Sequence, residues 1–82
     1  MQKEINILVV EEDPQAASVL EAALKLVGYR VWLAADPRQG LELLRSNVFP
    51  VVITELRSAQ MNGIQFTNEV HKISRETNVL VV

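Results

Sequence analysis

The sequence predicts a doubly wound α/β domain built on a parallel sheet. Four short apolar runs, rich in β-branched residues, alternate with three segments of helical spacing, and the connections between them are short. The resulting order, β-α-β-α-β-α-β, is typical of a parallel sheet with right-handed crossovers and helices on both faces. The 82 residues contain no internal repeat and no linker-like stretch, so we predict one domain over residues 1–82.

The first strand and helix are predicted from residues 5–10 and the segment that follows. Residues 5–10 are almost wholly apolar, which is typical of a strand covered on both faces. Asp13 is a good helix N-cap, and Pro14 suits the first helical position, where its missing N–H costs nothing. The apolar stripe of this helix comprises Ala17, Leu20, Leu24 and Val27. Gly28 then ends the helix.

The same pattern recurs in the middle of the chain. Residues 29–35 are predicted to form the second strand, and Asp36 followed by Pro37 again marks the start of a helix. This second helix continues to about Asn47. Its apolar face comprises Leu41, Leu43 and Leu44. Residues 51–54 are then predicted to form the third strand.

The last helix and strand follow a polar loop. A third helix is predicted to begin at Gly63. Its buried side is predicted to comprise Ile64, Phe66, Val70 and Ile73. Residues 78–82 are apolar after their first position and are predicted to form the fourth strand.

Composition excludes several classes of function. The net charge of -2 provides no basic field for a nucleic-acid backbone, so direct nucleic-acid binding by this segment is not expected. The absence of cysteine excludes disulfides, thiolate metal sites and cysteine nucleophiles. The apolar runs are far too short to span a membrane, and the first residues have no signal-peptide profile. We therefore expect a cytoplasmic protein without membrane contact.

Acidic residues follow two strands of the predicted sheet. Glu11, Glu12 and Asp13 follow the first strand, and Glu55 follows the third. The carboxyl ends of parallel strands meet at one edge of the sheet, where ligands of open α/β sheets bind. Clustered carboxylates need a cation or a raised pKa, and hard oxygen ligands suit Mg²⁺. Alternatively, these acids are solvated N-caps of the helices that follow the strands, and their spacing does not decide between the two interpretations.

Four segments of the chain, residues 7–14, 27–31, 52–57 and 61–64, carry a resemblance to a known family. Together they resemble the receiver domain of bacterial two-component response regulators, and the resemblance covers the whole chain. It implies a flavodoxin-like (CheY-like) fold, a histidine kinase as partner and an output domain that the receiver regulates.

The resemblance also implies a phosphoryl-acceptor site. In that family, an acidic pair after the first strand holds Mg²⁺, and an aspartate at the end of the third strand accepts a phosphoryl group. Glu11 and Glu12 match the acidic pair, and Glu55 stands at the acceptor position. The backbone carbonyl of Arg57 would complete the protein ligands of the metal, together with the carboxylate of Glu55.

The departures from the family pattern favour an atypical receiver. Glu55 replaces the acceptor aspartate and moves the carboxylate out by one methylene, about 1.5 Å. A misplacement of reacting groups by about 1 Å can lower the rate about 100-fold. Both members of the acidic pair are glutamate, so the metal site is altered and Mg²⁺ binding is expected to be weak. We therefore expect a pseudo-receiver, not an enzyme, that is not phosphorylated in the ordinary way.

Two other functions stay open at this point. The first is a phosphorylatable, Mg²⁺-dependent receiver that accepts a phosphoryl group from a histidine kinase. The second is a small metal-dependent phosphoryl-transfer enzyme, which would also use carboxylates at strand ends. Such an enzyme needs a nucleophile and a cationic stabiliser, and the sequence offers no candidate for either.

The resemblance implies the strand order 2-1-3-4 and leaves the fourth strand at an edge. The family fold continues with a fifth strand and further helices, so we expect a receiver that is truncated after its fourth strand. An apolar edge strand invites pairing with another chain. The chain is therefore expected either to be part of a longer polypeptide or to form a homodimer through this edge.

Overall fold

The computed structural model describes residues 4–55 and 61–82, which form four strands and three helices in the predicted alternation. The elements are β1 (Asn6–Glu11), α1 (Pro14–Leu26), β2 (Arg30–Ala34), α2 (Pro37–Ser46), β3 (Val51–Glu55), α3 (Gly63–Ile73) and β4 (Asn78–Val81). These bounds differ from the sequence predictions by one or two residues, mostly at the strand ends. Glu11 and Glu55 are the last residues of their strands instead of the first residues after them.

The sheet has the order β2-β1-β3-β4, and each neighbouring pair is parallel. This confirms the predicted flavodoxin-like topology. β1 lies inside the sheet, and every residue from Ile7 to Glu11 is buried, as the apolar run predicted. β2 lies at one edge, and its first four residues are exposed or half-buried. β4 lies at the other edge of the sheet that residues 4–55 and 61–82 form.

Helices cover both faces of the sheet. α1 packs against β1 and β2, whereas α2 and α3 pack against each other on the opposite face. The main core lies under α2 and α3, and its buried members come from three strands, both helices and the loop before β3. They are Leu8, Val10, Ala34, Leu41, Leu44, Phe49, Val52, Phe66 and Val70.

The two ends of α1 lie close to where the sequence predicts them, but Val27 is not buried as predicted. Asp13 is the N-cap, and its side chain accepts a hydrogen bond from the backbone N–H of Gln15 at 3.0 Å. Gly28 has a φ of 101°, the left-handed conformation that favours glycine after a helix. Val27, predicted to lie on the buried stripe, is 72% exposed. It is the C-cap, after the last helical residue, so helical spacing no longer places its side chain over the sheet.

The buried side of α3 differs from the prediction at one position. Phe66 and Val70 are four residues apart and both are fully buried. Ile64, predicted to share that side, is 77% exposed. Residues two apart on a helix do not face each other, because two steps rotate the side chain by about 200°. Phe66 therefore faces the core and Ile64 faces away from it.

Thr77, just before β4, is hydrogen-bonded to the loop before β3. Its side chain is buried, and its hydroxyl donates to the backbone carbonyl of Phe49 at 2.8 Å. His71 Nε2 lies 2.9 Å from the carbonyl oxygen of Thr77, which can only accept, so this ring nitrogen is the donor.

Within the described part of the chain, no helix combines the length and apolar character that crossing a bilayer requires.

Candidate functional site

The carboxyl ends of β1 and β3 place two acidic side chains next to each other. Glu11 and Glu55 are register partners, and they form the last pair that joins the two strands. Partners in register on parallel strands point to the same face of a sheet. The two residues therefore share one edge of the sheet, as the sequence predicted, and they also share one face.

The side chain of Glu11 is hydrogen-bonded to the loop that follows β1. The residue is 6% exposed, and its Oε1 accepts a hydrogen bond from the backbone N–H of Asp13 at 3.0 Å. Its Oε2 is buried without a hydrogen-bond partner. A buried polar atom without a partner is costly, because it has given up its hydrogen bonds with water. A cation beside Glu11 would offset that cost, so this carboxylate fits a metal ligand.

Asp13 has the structural role that the alternative interpretation gave it. Its side chain caps α1 through Gln15, so this carboxylate is engaged at the helix N-terminus. Glu12 is half-buried and lines a cavity of about 320 Å³ together with Glu11. Gln39 lines the same cavity from α2, and its Oε1 accepts from the backbone N–H of Ala35 at 2.7 Å.

Glu55 lines a different cavity. This second cavity, of about 330 Å³, lies between α1 and the sheet, and apolar residues such as Ile53 and Val82 form most of its wall. The register partners Glu11 and Glu55 thus share a strand end but line separate cavities. In residues 4–55 and 61–82, no group of three or more His, Cys, Asp or Glu side chains is arranged to hold a metal ion. Arg57, whose carbonyl was the fourth predicted ligand, lies outside the described residues.

Thr54 is a buried polar residue that the sequence analysis did not single out. It is fully buried next to Glu55 in β3, and its Oγ1 has no hydrogen-bond partner. The signal available in the sequence was a hydroxyl at the end of an otherwise apolar strand. Its position brings a second unpaired polar atom to the carboxyl end of the sheet, one residue from Glu55.

Comparison with known proteins identifies the family. Residues 7–82 match the model of the response regulator receiver domain, which is more than half of the chain. The chain belongs to the response regulator receiver domain family. It is therefore a receiver domain of the two-component type, as the four segments indicated.

One relative of this receiver domain is the transcriptional regulatory protein ZraR of Escherichia coli strain K12. The two are 38% identical over 78 residues, which cover 95% of this chain and 18% of ZraR. The receiver domain described here thus spans less than a fifth of the length of that relative.

Solved structures share the fold of this receiver domain. The chemotaxis protein CheY4 of Vibrio cholerae superposes with a TM-score of 0.88 at 25% identity, over 96% of this chain and 68% of that one. The response regulator TrrA of Thermotoga maritima, solved with Mg²⁺-BeF, gives a TM-score of 0.86 at 22% identity, over 94% of this chain and 67% of that one. TrrA has also been solved in complex with the histidine kinase ThkA.

Proposed function

We propose that this chain is a pseudo-receiver, which regulates a partner or an output domain without ordinary aspartyl phosphorylation. The observation that carries the proposal is the position of Glu55. It is the last residue of β3 and the register partner of Glu11, in a chain that belongs to the receiver family. These observations support the assignment of Glu55 to the acceptor position, where its side chain would be one methylene longer than that of aspartate.

The geometry of phosphoryl transfer supports this proposal. Transfer to a carboxylate depends on in-line attack, and positioning together with electrostatic stabilisation supplies most of the catalysis. The extra methylene displaces the attacking oxygen by about 1.5 Å, which is enough to cost about 100-fold or more in rate. The carboxylate of Glu55 has a charge of about -1, whereas a phosphoryl group adds about -1.5 to -2. Glu55 would thus imitate the phosphorylated acceptor weakly and permanently.

We further propose that Glu11, Glu12 and Glu55 would hold Mg²⁺, with the carbonyl of Arg57 as a further ligand. The unpaired, buried Oε2 of Glu11 supports a cation at this strand end. When bound, the ion would neutralise the charge that the carboxylates bring together. The separate cavities of Glu11 and Glu55 favour weak binding, because the side chains would have to converge on the ion.

The ion pairs of the described lysines support a function without turnover. The two lysines in the described ranges, Lys25 and Lys72, pair with Glu21 and Glu69 of their own helices at 3.0 Å and 2.9 Å. Such exposed pairs lie on helix surfaces and contribute little energy. A small metal-dependent phosphoryl-transfer enzyme would need a cation directed at the strand ends.

The proposed partners are a histidine kinase and an output domain, in the cytoplasm. The complex of TrrA with the kinase ThkA and the name of ZraR as a transcriptional regulatory protein support this assignment by similarity. The net charge of -2 makes a direct nucleic-acid contact by this segment unfavourable. We also propose a homodimer through the edge of β4.

Intact-mass measurement after incubation with acetyl phosphate and Mg²⁺ tests the proposal. The wild-type chain is expected to gain no phosphoryl group, whereas a receiver domain with aspartate at the acceptor position gains one under the same conditions. The variant Glu55→Asp restores the side-chain length, and we expect it to be modified more readily than the wild type. A phosphoryl group on Glu55 of the wild type would replace this proposal by the phosphorylatable receiver.

A further inference from the structure

Asn62 and Gly63 form an Asn–Gly pair at the start of α3. The side chain of Asn62 is exposed, and the backbone nitrogen that follows it belongs to a residue without a side chain. Steric hindrance to attack of this nitrogen on the Asn62 amide is therefore minimal. We propose that Asn62 is a site of spontaneous deamidation whose rate is controlled by the N-terminal capping box of α3. This inference is independent of the proposed pseudo-receiver function.

The reaction needs only solvent water as a co-reactant. The backbone nitrogen of Gly63 attacks Cγ of Asn62, the new N–Cγ bond closes a five-membered succinimide, and the Cγ–Nδ2 bond breaks. The leaving nitrogen takes the proton from the Gly63 nitrogen and departs as ammonia. Water then opens the ring at either carbonyl, which yields aspartate with a normal backbone or isoaspartate with the backbone running through Cγ.

Packing against Val81 favours glycine at position 63. A Cβ placed on Gly63 would lie 2.9 Å from Cγ1 of Val81, closer than side chains approach in folded proteins. A bulkier residue, which would shield the Asn62 amide, would force the side chain of Val81 at the end of β4 to shift. The reactive pair is thus a consequence of how α3 meets the sheet.

The capping box opposes ring closure in the folded chain. Asn62 Oδ1 accepts from the backbone N–H of Gln65 at 2.8 Å, and Gln65 Oε1 accepts from the backbone N–H of Asn62 at 3.2 Å. Both bonds are those of a reciprocal capping box. Asn62 is held with an extended ψ of 171°, and ring closure requires rotation of its Cα–C bond away from that angle. The reactive geometry is reached only when the start of α3 opens locally.

The two products differ in what they do to α3. Aspartate keeps the oxygen that caps the helix and places a negative charge at its N-terminus, where charge of that sign is favourable. Isoaspartate lengthens the backbone by one atom and breaks the register between the cap and Gln65. Val81, which packs on Gly63, is the register partner of Thr54, so either product lies beside the carboxyl end of β3.

Peptide mapping by mass spectrometry of the whole chain tests the site and its control by the fold. The chain is incubated at neutral pH in buffer and, in parallel, in urea that unfolds it. Deamidation is expected at Asn62 first, because every other asparagine precedes a residue with a side chain; these are Asn6, Asn47, Asn68 and Asn78. The folded chain is expected to react at least about tenfold more slowly, since the open form is a minor state.

Three glutamine variants separate the capping box from general loss of stability. Gln65→Ala removes the acceptor for the Asn62 N–H and is expected to raise the rate about fivefold, which corresponds to about 1 kcal/mol of cap energy. Gln65→Glu keeps an acceptor oxygen and is expected to react at nearly the wild-type rate. Gln39→Ala removes the equivalent bond to Ala35 at the start of α2 and is expected to leave the rate unchanged.

Each contrary result overturns the proposal. Equal rates of Asn62 deamidation in the folded and unfolded chain would show that the fold does not control this site. Earlier reaction at another asparagine in the unfolded chain would show that Asn62 is not the reactive site. An equal acceleration by Gln65→Ala and Gln39→Ala would assign the effect to overall stability instead of the capping box. Circular dichroism of each variant confirms that the chains compared are folded.

Discussion

Glu11 and Glu55 are the last register pair between β1 and β3, yet they line two separate cavities. Parallel pairing brings their backbones together at the strand ends, whereas the side chains are directed by their local partners. Glu11 bonds the backbone N–H of Asp13, which turns it toward the β1–α1 loop. A ligand shared by both residues would therefore have to use Oε2 of Glu11, because Oε1 already accepts a hydrogen bond.

Titration with Mg²⁺ of the wild-type chain and of the variant Glu11→Gln tests whether Glu11 is a metal ligand. We expect the wild-type chain to bind Mg²⁺ in the millimolar range, and Glu11→Gln to bind it at least about tenfold more weakly. A tenfold change in affinity corresponds to about 1.4 kcal/mol, and the variant replaces a charged ligand by a neutral amide. The amide signal of Asp13 in NMR spectra is the direct readout, because Asp13 donates its N–H to the carboxylate of Glu11.

Asp36→Asn is the matched control for the titration. Asp36 is the N-cap of α2 and accepts from the backbone N–H of Gln39 at 2.8 Å, so the variant removes one negative charge elsewhere and keeps a capping side chain. Its affinity for Mg²⁺ is expected to equal that of the wild type. If the Asp13 amide does not respond at millimolar Mg²⁺, or if both variants weaken binding equally, Glu11 is not a ligand.

Most of the fold could be predicted from local sequence patterns. Short apolar runs predicted the four strands, and Asp–Pro pairs predicted the starts of α1 and α2, because a capping side chain and a proline each suit one end of a helix only. The cap of α3 was missed. Asn62 followed three residues later by Gln65 is a capping-box pattern, and it agrees with the start of α3 at Gly63 that the apolar spacing had predicted.

The errors arose where burial depends on tertiary position. Ile64 and Val27 are apolar residues at helix ends, and their exposure depends on where each helix leaves the sheet, which periodicity alone does not show. The candidate site was only partly predictable for the same reason. Adjacency of Glu11 and Glu55 follows from the topology, whereas the hydrogen bond that turns Glu11 toward Asp13 depends on the conformation of a loop.

The hydroxyl of Thr77 is expected to stabilise the fold through its bond to Phe49. In Thr77→Val the shape is kept, but the carbonyl of Phe49 loses its buried partner, which costs about 1–3 kcal/mol. The total stability of a small domain is about 5–15 kcal/mol, so the effect should be large in urea unfolding. We expect a lower midpoint with an unchanged slope.

Thr67→Val provides a matched control for that measurement. Thr67 also donates to a backbone carbonyl, that of Gly63 at 2.7 Å, but this bond lies within α3 and Thr67 is half-buried. Such bonds to the preceding turn do not stabilise a helix, and we expect a change within about 0.5 kcal/mol. Equal losses in the two variants would show that the long-range bond of Thr77 is not what holds β4 to β3.

The two edges of the sheet differ in their protection against association. β2 begins at Arg30, whose side chain pairs with Glu4 at 3.1 Å, and charge on an edge strand discourages pairing with another chain. β4 (Asn78–Val81) contains no charged residue and no proline. Leu80 and Val81 are each 54% exposed, so apolar side chains flank the outer edge of this strand. This contrast favours β4 as the edge at which two copies would meet.

The homodimer proposed through β4 predicts a mass that depends on concentration. Sedimentation of the 82-residue chain is expected to show a dimer at high concentration, and Leu80→Lys is expected to weaken it at least about tenfold, because charge on an edge strand opposes pairing. Val48→Lys adds the same charge at a site that is 79% exposed in the loop before β3, and it should leave the dimer intact. A chain that stays monomeric at every concentration, or equal effects of the two lysines, would exclude β4 as the interface.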